Sequence, residues 1–123
     1  MLHLPYGKTS IPFDETGAEV LRSRVDELVC RKAGGEIVRT AMARPVGSER
    51  LSALAVGKRN CVVIVSDHTR PVPSKDILPA MLNELRQGNP GIEVTLLVAT
   101  GCHRGTTKAE LTEKLGEAIA ASE

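Results

Sequence analysis

A chain of 123 residues has room for one domain with a single core that buries roughly two thirds of its unfolded surface. Sixteen basic against fifteen acidic residues leave a net charge of +1, too little to steer the whole molecule to nucleic acid or an anionic membrane. One Tyr, one Phe and no Trp supply no base-stacking platform, and no apolar run approaches the roughly 18 residues that a bilayer requires. Met1-Leu2-His3-Leu4-Pro5 lacks the charged and apolar regions of a signal peptide, so the expected location is cytoplasmic. Cys30, Cys61 and Cys102 form no C-x-x-C pair and no disulfide framework, which points to reduced thiols.

In chain order, Leu2 to Phe13 holds two short apolar pieces around Tyr6-Gly7-Lys8-Thr9, the pattern of an N-terminal hairpin. Asp14 to Leu28 is ambiguous, because Val20, Leu21, Val25, Leu28 and Val29 suit a helix about as well as Ala18 to Arg22 suits a strand. Gly34-Gly35 is a break, after which Ile37, Val38, Ala41 and Met42 form a helical stripe ended by Pro45. Ser48 is placed to cap a short helix carrying Leu51, Leu54 and Ala55.

Two β-branched, apolar runs follow, Cys61 to Val65 and Val94 to Ala99, without alternation, which predicts strands buried on both faces of a mainly parallel sheet with helices on both sides. Between them Ile77, Leu78, Met81, Leu82 and Leu85 recur at helical spacing, with Ser74 as a candidate N-cap and Gly88 as a stop. Strand, helix, strand is a βαβ unit, nearly always right-handed, so both strands end at one edge of the sheet. Ligands of open α/β sheets bind at that edge. The loops Ser66-Asp67-His68-Thr69-Arg70-Pro71 and Thr100-Gly101-Cys102-His103-Arg104 therefore converge on one crevice. Beyond them Thr107-x-x-Glu110 is a capping box, with Leu111, Leu115 and Ile119 on one helical face interrupted by Gly116. The pattern stops at Glu123 with a stripe still to be packed, as in a chain cut inside its domain, since βαβα patterns usually continue.

Arg70, stiffened by Pro71-Val72-Pro73, can hold a carboxylate or phosphate through two parallel hydrogen bonds. Asp67 can orient a histidine or bind a ligand hydroxyl; the plainer alternative is that Asp67 and Arg70 pair and brace the loop. His103 has the side-chain type of a general base at neutral pH, the alternative being a structural histidine. His68 should point away from Asp67 if the strand continues. Cys102 beside His103 invites a nucleophile or zinc reading, but adjacent residues diverge and no further residue has ligand spacing.

Ser66 to Lys75, Ala99 to Arg104, Leu4-Pro5-Tyr6-Gly7-Lys8 and Pro45-Val46-Gly47-Ser48, in this order and spacing, resemble the amino-terminal domain of the nickel-dependent lactate racemase family over nearly the whole chain. The resemblance implies a racemase or epimerase of a small 2-hydroxy acid that uses a nickel-pincer nucleotide, a pyridinium mononucleotide whose thio-acyl groups hold the metal. It implies that Asp67, His68, Thr69 and Arg70 line the cofactor and substrate side of the cleft, with Arg70 binding substrate. It implies that His103 is one of two acid/base histidines, taking the substrate hydroxyl proton while hydride moves to the cofactor. The family's motif more often has threonine where Cys102 stands. Its second catalytic histidine, its cofactor-joining lysine, its nickel-coordinating histidine and its carboxy-terminal domain have no counterpart in this sequence. The expectation is therefore half of a site, binding neither metal nor cofactor alone, in a single partial domain (1–123) prone to self-association or in need of a C-terminal portion. The alternative is a non-catalytic anion-binding module or an inert fragment.

Overall fold

The computed structural model describes residues 1–122, Asp26 by its backbone alone; Glu123, where the expected cut falls, lies outside the described residues. Two compact units divide the chain, residues 1–31 and the rest. In the first, β1 (Leu2–Tyr6) and β2 (Thr9–Phe13) form the antiparallel hairpin that the sequence predicts, joined by a two-residue turn in register Tyr6↔Thr9. Gly7 at the turn has φ +57°, a conformation glycine adopts without steric cost. Asp14 to Leu28 is neither the helix nor the strand its periodicity allows. It is irregular apart from one 3₁₀ turn at Val25–Glu27, and Leu21, Leu28 and Val29 are exposed.

The second unit is an α/β arrangement built on β3 (Asn60–Ser66) and β4 (Glu93–Ala99), joined by α3 (Ser74–Gly88). The strands are parallel, in register from Asn60↔Glu93 to Ser66↔Ala99, so both end at the same edge. Val63 and Val65 bury one face against Leu78, Leu82 and Leu85 of α3, with Ala55, Ile92 and Leu115 completing the core. The expectation of strands buried on both faces is met on one side only: Val62, Ile64 and Leu97 are 58%, 70% and 53% exposed. Apolar side chains on both faces thus meet unlike surroundings, because the core of the described residues lies on the α3 side alone. Among the described residues, no helix is long and apolar enough to cross a membrane.

Three helix starts differ from the sequence reading. α1 (Gly34–Met42) includes the two glycines instead of following them, and a Cβ on Gly34 would lie 2.5 Å from the Asp76 carboxylate, so glycine permits that close approach. α2 (Leu51–Ala55) begins after Arg50, not after Ser48. Its entry is fixed by a long-range contact: Arg50 donates from Nε and Nη2 to buried Glu84 at 2.9 and 3.0 Å, and Ser52 Oγ donates to the same carboxylate at 2.9 Å. α3 begins at Ser74 with Pro73 preceding it, and the Ser74 side chain is buried without capping the helix. At the other end Asn89 donates to the carbonyls of Ala55 and Lys58 at 3.3 and 2.6 Å and accepts from Gly91 N–H at 3.2 Å, turning the chain into β4. α4 (Lys108–Leu115) and α5 (Glu117–Ser122), separated by Gly116, place Leu111, Leu115 and Ile119 against the core as their spacing predicts.

The α2–α3 packing hinges on Gly88. A Cβ there would lie 1.8 Å from the Ser52 carbonyl oxygen, a backbone atom that cannot swing aside. Gly88→Ala should therefore destabilise the domain by about 1–3 kcal/mol, the usual cost of overpacking, whereas Gly91→Ala, whose Cβ would meet nothing nearer than 3.9 Å, should be close to neutral. Urea unfolding of the two variants checks this, and equal midpoints would show that α2 moves away freely.

Candidate functional site

The crevice lies at the shared C-terminal edge of β3 and β4. About 510 Å³ in volume, it is lined by Asp67, Arg70 and His103 together with Ile64, Ser66, Ala99 and Cys102. Parallel pairing brings the two loops together, and local turns aim their side chains. In the first, Asp67 accepts from the Thr69 backbone N–H at 3.1 Å and from the Thr69 hydroxyl at 2.7 Å, an Asx-type turn that fixes the carboxylate. In the second, Gly101 at φ +58° lets the chain reverse, and His103 N–H closes the turn on the Thr100 carbonyl at 3.0 Å. The reversal returns the imidazole to the first loop, where His103 Nδ1 lies 2.6 Å from Asp67 Oδ2.

The Thr69 hydroxyl, and next His103, hold the Asp67 carboxyl down to about 2, against an ordinary 3.8, even though burial opposes the charge. At neutral pH the carboxylate is an acceptor only, so the proton of this short contact sits on Nδ1. In the neutral form of the ring the lone pair is then on Nε2, and the ring is exposed enough for a ligand to reach it. Asp67, only 1% exposed, is positioned to balance the charge that His103 gains on taking up a proton.

Arg70 is exposed beside the pair. Asp67 is engaged by Thr69 and His103 and not by the Arg70 guanidinium, which removes the bracing alternative; Arg70 borders both this crevice and the cavity beside it. The Arg70 backbone is held from the far side by Lys114 of α4, whose Nζ donates to its carbonyl at 2.8 Å. His68 does not line the crevice; the strand does not continue through it, since β3 ends at Ser66 and His68 lies in the turn that follows, so its direction is set by that turn and not by strand alternation. It lines a neighbouring cavity, with Nδ1 3.4 Å from Thr106 Oγ1 and Nε2 3.9 Å from Glu110 Oε1. Cys102 is exposed on the crevice wall, and among the described residues no group of three or more His, Cys, Asp or Glu side chains could hold a metal ion.

Residue-by-residue reading missed the clamp that Thr69 places on Asp67. The signal was present: Asp14-x-Thr16 makes the same turn, with Thr16 N–H and hydroxyl bound to Asp14 Oδ1 at 3.0 and 2.7 Å. Thr69→Ala should raise the Asp67 pKa from about 2 toward 3.8, since the largest influence holding it down is lost. A depressed carboxyl stabilises the fold above its ordinary value and loses that contribution as pH falls toward 2, so acid unfolding of the variant should begin at higher pH. Carboxyl ¹³C titration reads the first effect and circular dichroism the second; an unmoved Asp67 titration would rule out the clamp.

Comparison with known proteins places this geometry. Residues 6–123 match the family described as the lactate racemase N-terminal domain. The lactate racemase of Thermoanaerobacterium thermosaccharolyticum is 43% identical over 125 residues, covering 99% of this chain and 29% of that protein. The lactate racemase of Lactiplantibacillus plantarum is 42% identical, with 99% and 30% covered. The solved structure of the T. thermosaccharolyticum lactate racemase apoprotein superposes with a TM-score of 0.76 at 42% identity, over 98% of this chain and 28% of that one. The chain thus spans less than a third of the length of these relatives. Matching in sequence over nearly its whole length and in fold, it belongs to the lactate racemase N-terminal domain family.

Proposed function

We propose that the Asp67–His103 pair is the acid/base half of a site that racemises or epimerises lactate or a related 2-hydroxy acid in a longer, cytoplasmic polypeptide. The observation that carries the reading is the 2.6 Å contact, which holds the proton on Nδ1 and leaves Nε2 to accept the substrate hydroxyl proton. Arg70 holds the substrate carboxylate by a charge-assisted, two-pronged hydrogen bond, which orients the hydroxyl toward His103. Asp67 steadies the imidazolium formed on proton uptake, and the same ring returns the proton when the reaction runs backward. Thr69 keeps the Asp67 carboxylate charged and oriented for both.

A nickel-pincer nucleotide, when bound, would supply the acceptor for the hydride that leaves the substrate carbon. The crevice fits the substrate side of such a group, with Asp67 and Arg70 on the first loop facing Thr100 and His103 on the second, and His68 lining the neighbouring cavity. It offers no set of metal donors among the described residues, so any donors beyond the cofactor's own would have to come from outside this chain. That same observation favours ligand binding without turnover for the chain by itself. Purified alone, it should carry less than a tenth of an equivalent of nickel; near-equimolar tight nickel by metal analysis would overturn this division of the site.

Joining this chain to the remaining portion of the T. thermosaccharolyticum enzyme gives a complete polypeptide in which roles can be measured. His103→Gln should lower kcat about 10²–10⁴-fold with KM little changed, the loss expected for a general base. Arg70→Ala should chiefly raise KM, by about 10–100-fold, for loss of hydrogen bonds to a charged group. A His103→Gln enzyme turning over at the parent rate would end the proposal.

A further inference from the structure

We propose that Arg104 and Glu110 are positioning residues for His103, a two-pronged latch that clips the second loop onto the first turn of α4 and thereby sets the imidazole against Asp67. The inference rests on the reading of His103 as the acid/base residue and adds what holds it there. Arg104 is the next residue in the chain after His103. Its Nη1 donates to Glu110 Oε2 at 2.9 Å and its Nη2 to Oε1 at 2.6 Å, parallel bonds that fix the guanidinium in plane and direction. Nη1 also donates to the Gly105 carbonyl at 3.0 Å, so the latch grips the loop backbone as well.

Glu110 is itself immobilised. As the third residue of α4 it accepts from the Thr107 N–H and hydroxyl at 2.8 and 2.9 Å, while Glu110 N–H donates to Thr107 Oγ1 at 3.3 Å. A capping box alone would use one glutamate oxygen; here both are engaged, one shared between cap and latch. His68 Nε2 stands 3.9 Å from the latched oxygen and Lys114 grips the Arg70 carbonyl, so α4 is tied to the first loop as well. The loop from Thr100 to Thr106 has no regular structure of its own beyond the Gly101 turn. Without the latch, His103 would keep only the turn to the Thr100 carbonyl and its contacts with the first loop against the entropy of a mobile segment.

The charges at the latch give a test with opposite signs for the two explanations. Removing the Arg104 cation raises the Asp67 titration by field alone, and removing the Glu110 charge lowers it by field alone. Loss of the His103 hydrogen bond raises it in both. Carboxyl ¹³C titration of Asp67 in the full chain should therefore move up, from about 2 toward 3.8, in Arg104→Ala and in Glu110→Gln alike, with His103→Gln as the reference for complete loss of the contact. Glu110→Gln keeps an acceptor for the Thr107 N–H, so the helix start survives. Thr107→Ala weakens the cap while sparing the latch; it should lower the melting temperature and leave the Asp67 titration in place. A fall or no change in Glu110→Gln would overturn the proposal, as would a rise in Thr107→Ala matching that in Glu110→Gln, which would assign the positioning to the cap. The readout needs no turnover, so it stands or falls separately from the proposed reaction.

Discussion

Parallel pairing of β3 and β4 in register up to Ser66↔Ala99 is the constraint on which everything at the site depends. A one-residue slip would move every side chain to the opposite face of the sheet and carry Asp67 away from His103. The register is supported by Val63 and Val65 of β3 and Val94, Leu96 and Val98 of β4, which pack together against Leu78, Leu82 and Leu85 of α3. The polar chemistry is therefore positioned by apolar packing well behind it. Glu84 reinforces the alignment by fixing the start of α2 through Arg50 and Ser52, and Asn89 joins the end of α3 to the turn after α2.

Within that frame, the electrostatics of the crevice follow from how much each group is desolvated. Asp67 is shielded from water and compensated by three hydrogen bonds, from Thr69 N–H, the Thr69 hydroxyl and His103 Nδ1, so it stays ionised despite burial. His103, partly exposed, sits where a ligand can approach one nitrogen while the carboxylate controls the other. Glu110 follows the same pattern, with the Arg104 guanidinium and the Thr107 backbone holding its carboxyl well below the ordinary glutamate range. Both carboxylates hold a cationic or proton-bearing neighbour in a single orientation. Those neighbours, His103 and Arg104, are consecutive in the chain.

Much of this was legible in the sequence because it rests on short-range rules. The hairpin announced itself through Tyr6-Gly7-Lys8-Thr9, the capping box through Thr107-x-x-Glu110, and the crossover through the periodicity of Ile77 to Leu85 between two apolar runs. That the loops carrying Asp67 and His103 share one edge followed from the parallel βαβ crossover. What escaped depends on partners distant in sequence or on backbone approach. Arg50 starts α2 because Glu84 lies across from it, and Gly34 opens α1 because Asp76 comes close, neither visible in a local window. The spacing from Arg104 to Glu110 has no helical or strand period, since half of it is turn. The segment 14–31 carries enough apolar residues to mimic either element, yet most of them are exposed in an irregular path, so periodicity without burial decided nothing there.

The open face of the sheet bears directly on the crevice. Val62, Ile64 and Leu97 alternate along the strands with the core residues and lie exposed, and Ile64 and Ala99 pass from this face into the crevice lining. Ser66 lies at the same corner, its Oγ shielded from water with no hydrogen-bond partner among the described residues. A buried hydroxyl in that condition costs on the order of 1–3 kcal/mol. The buried carboxylates are matched by contrast, Glu84 behind the sheet by three donors and Asp67 in the crevice itself by three. The local rules that the rest of the domain obeys are thus broken at one end of the parallel pair, where an apolar wall, an orphaned hydroxyl, an available guanidinium and a poised imidazole lie together. Such a departure from internal consistency is characteristic of a site shaped for something other than the stability of the fold.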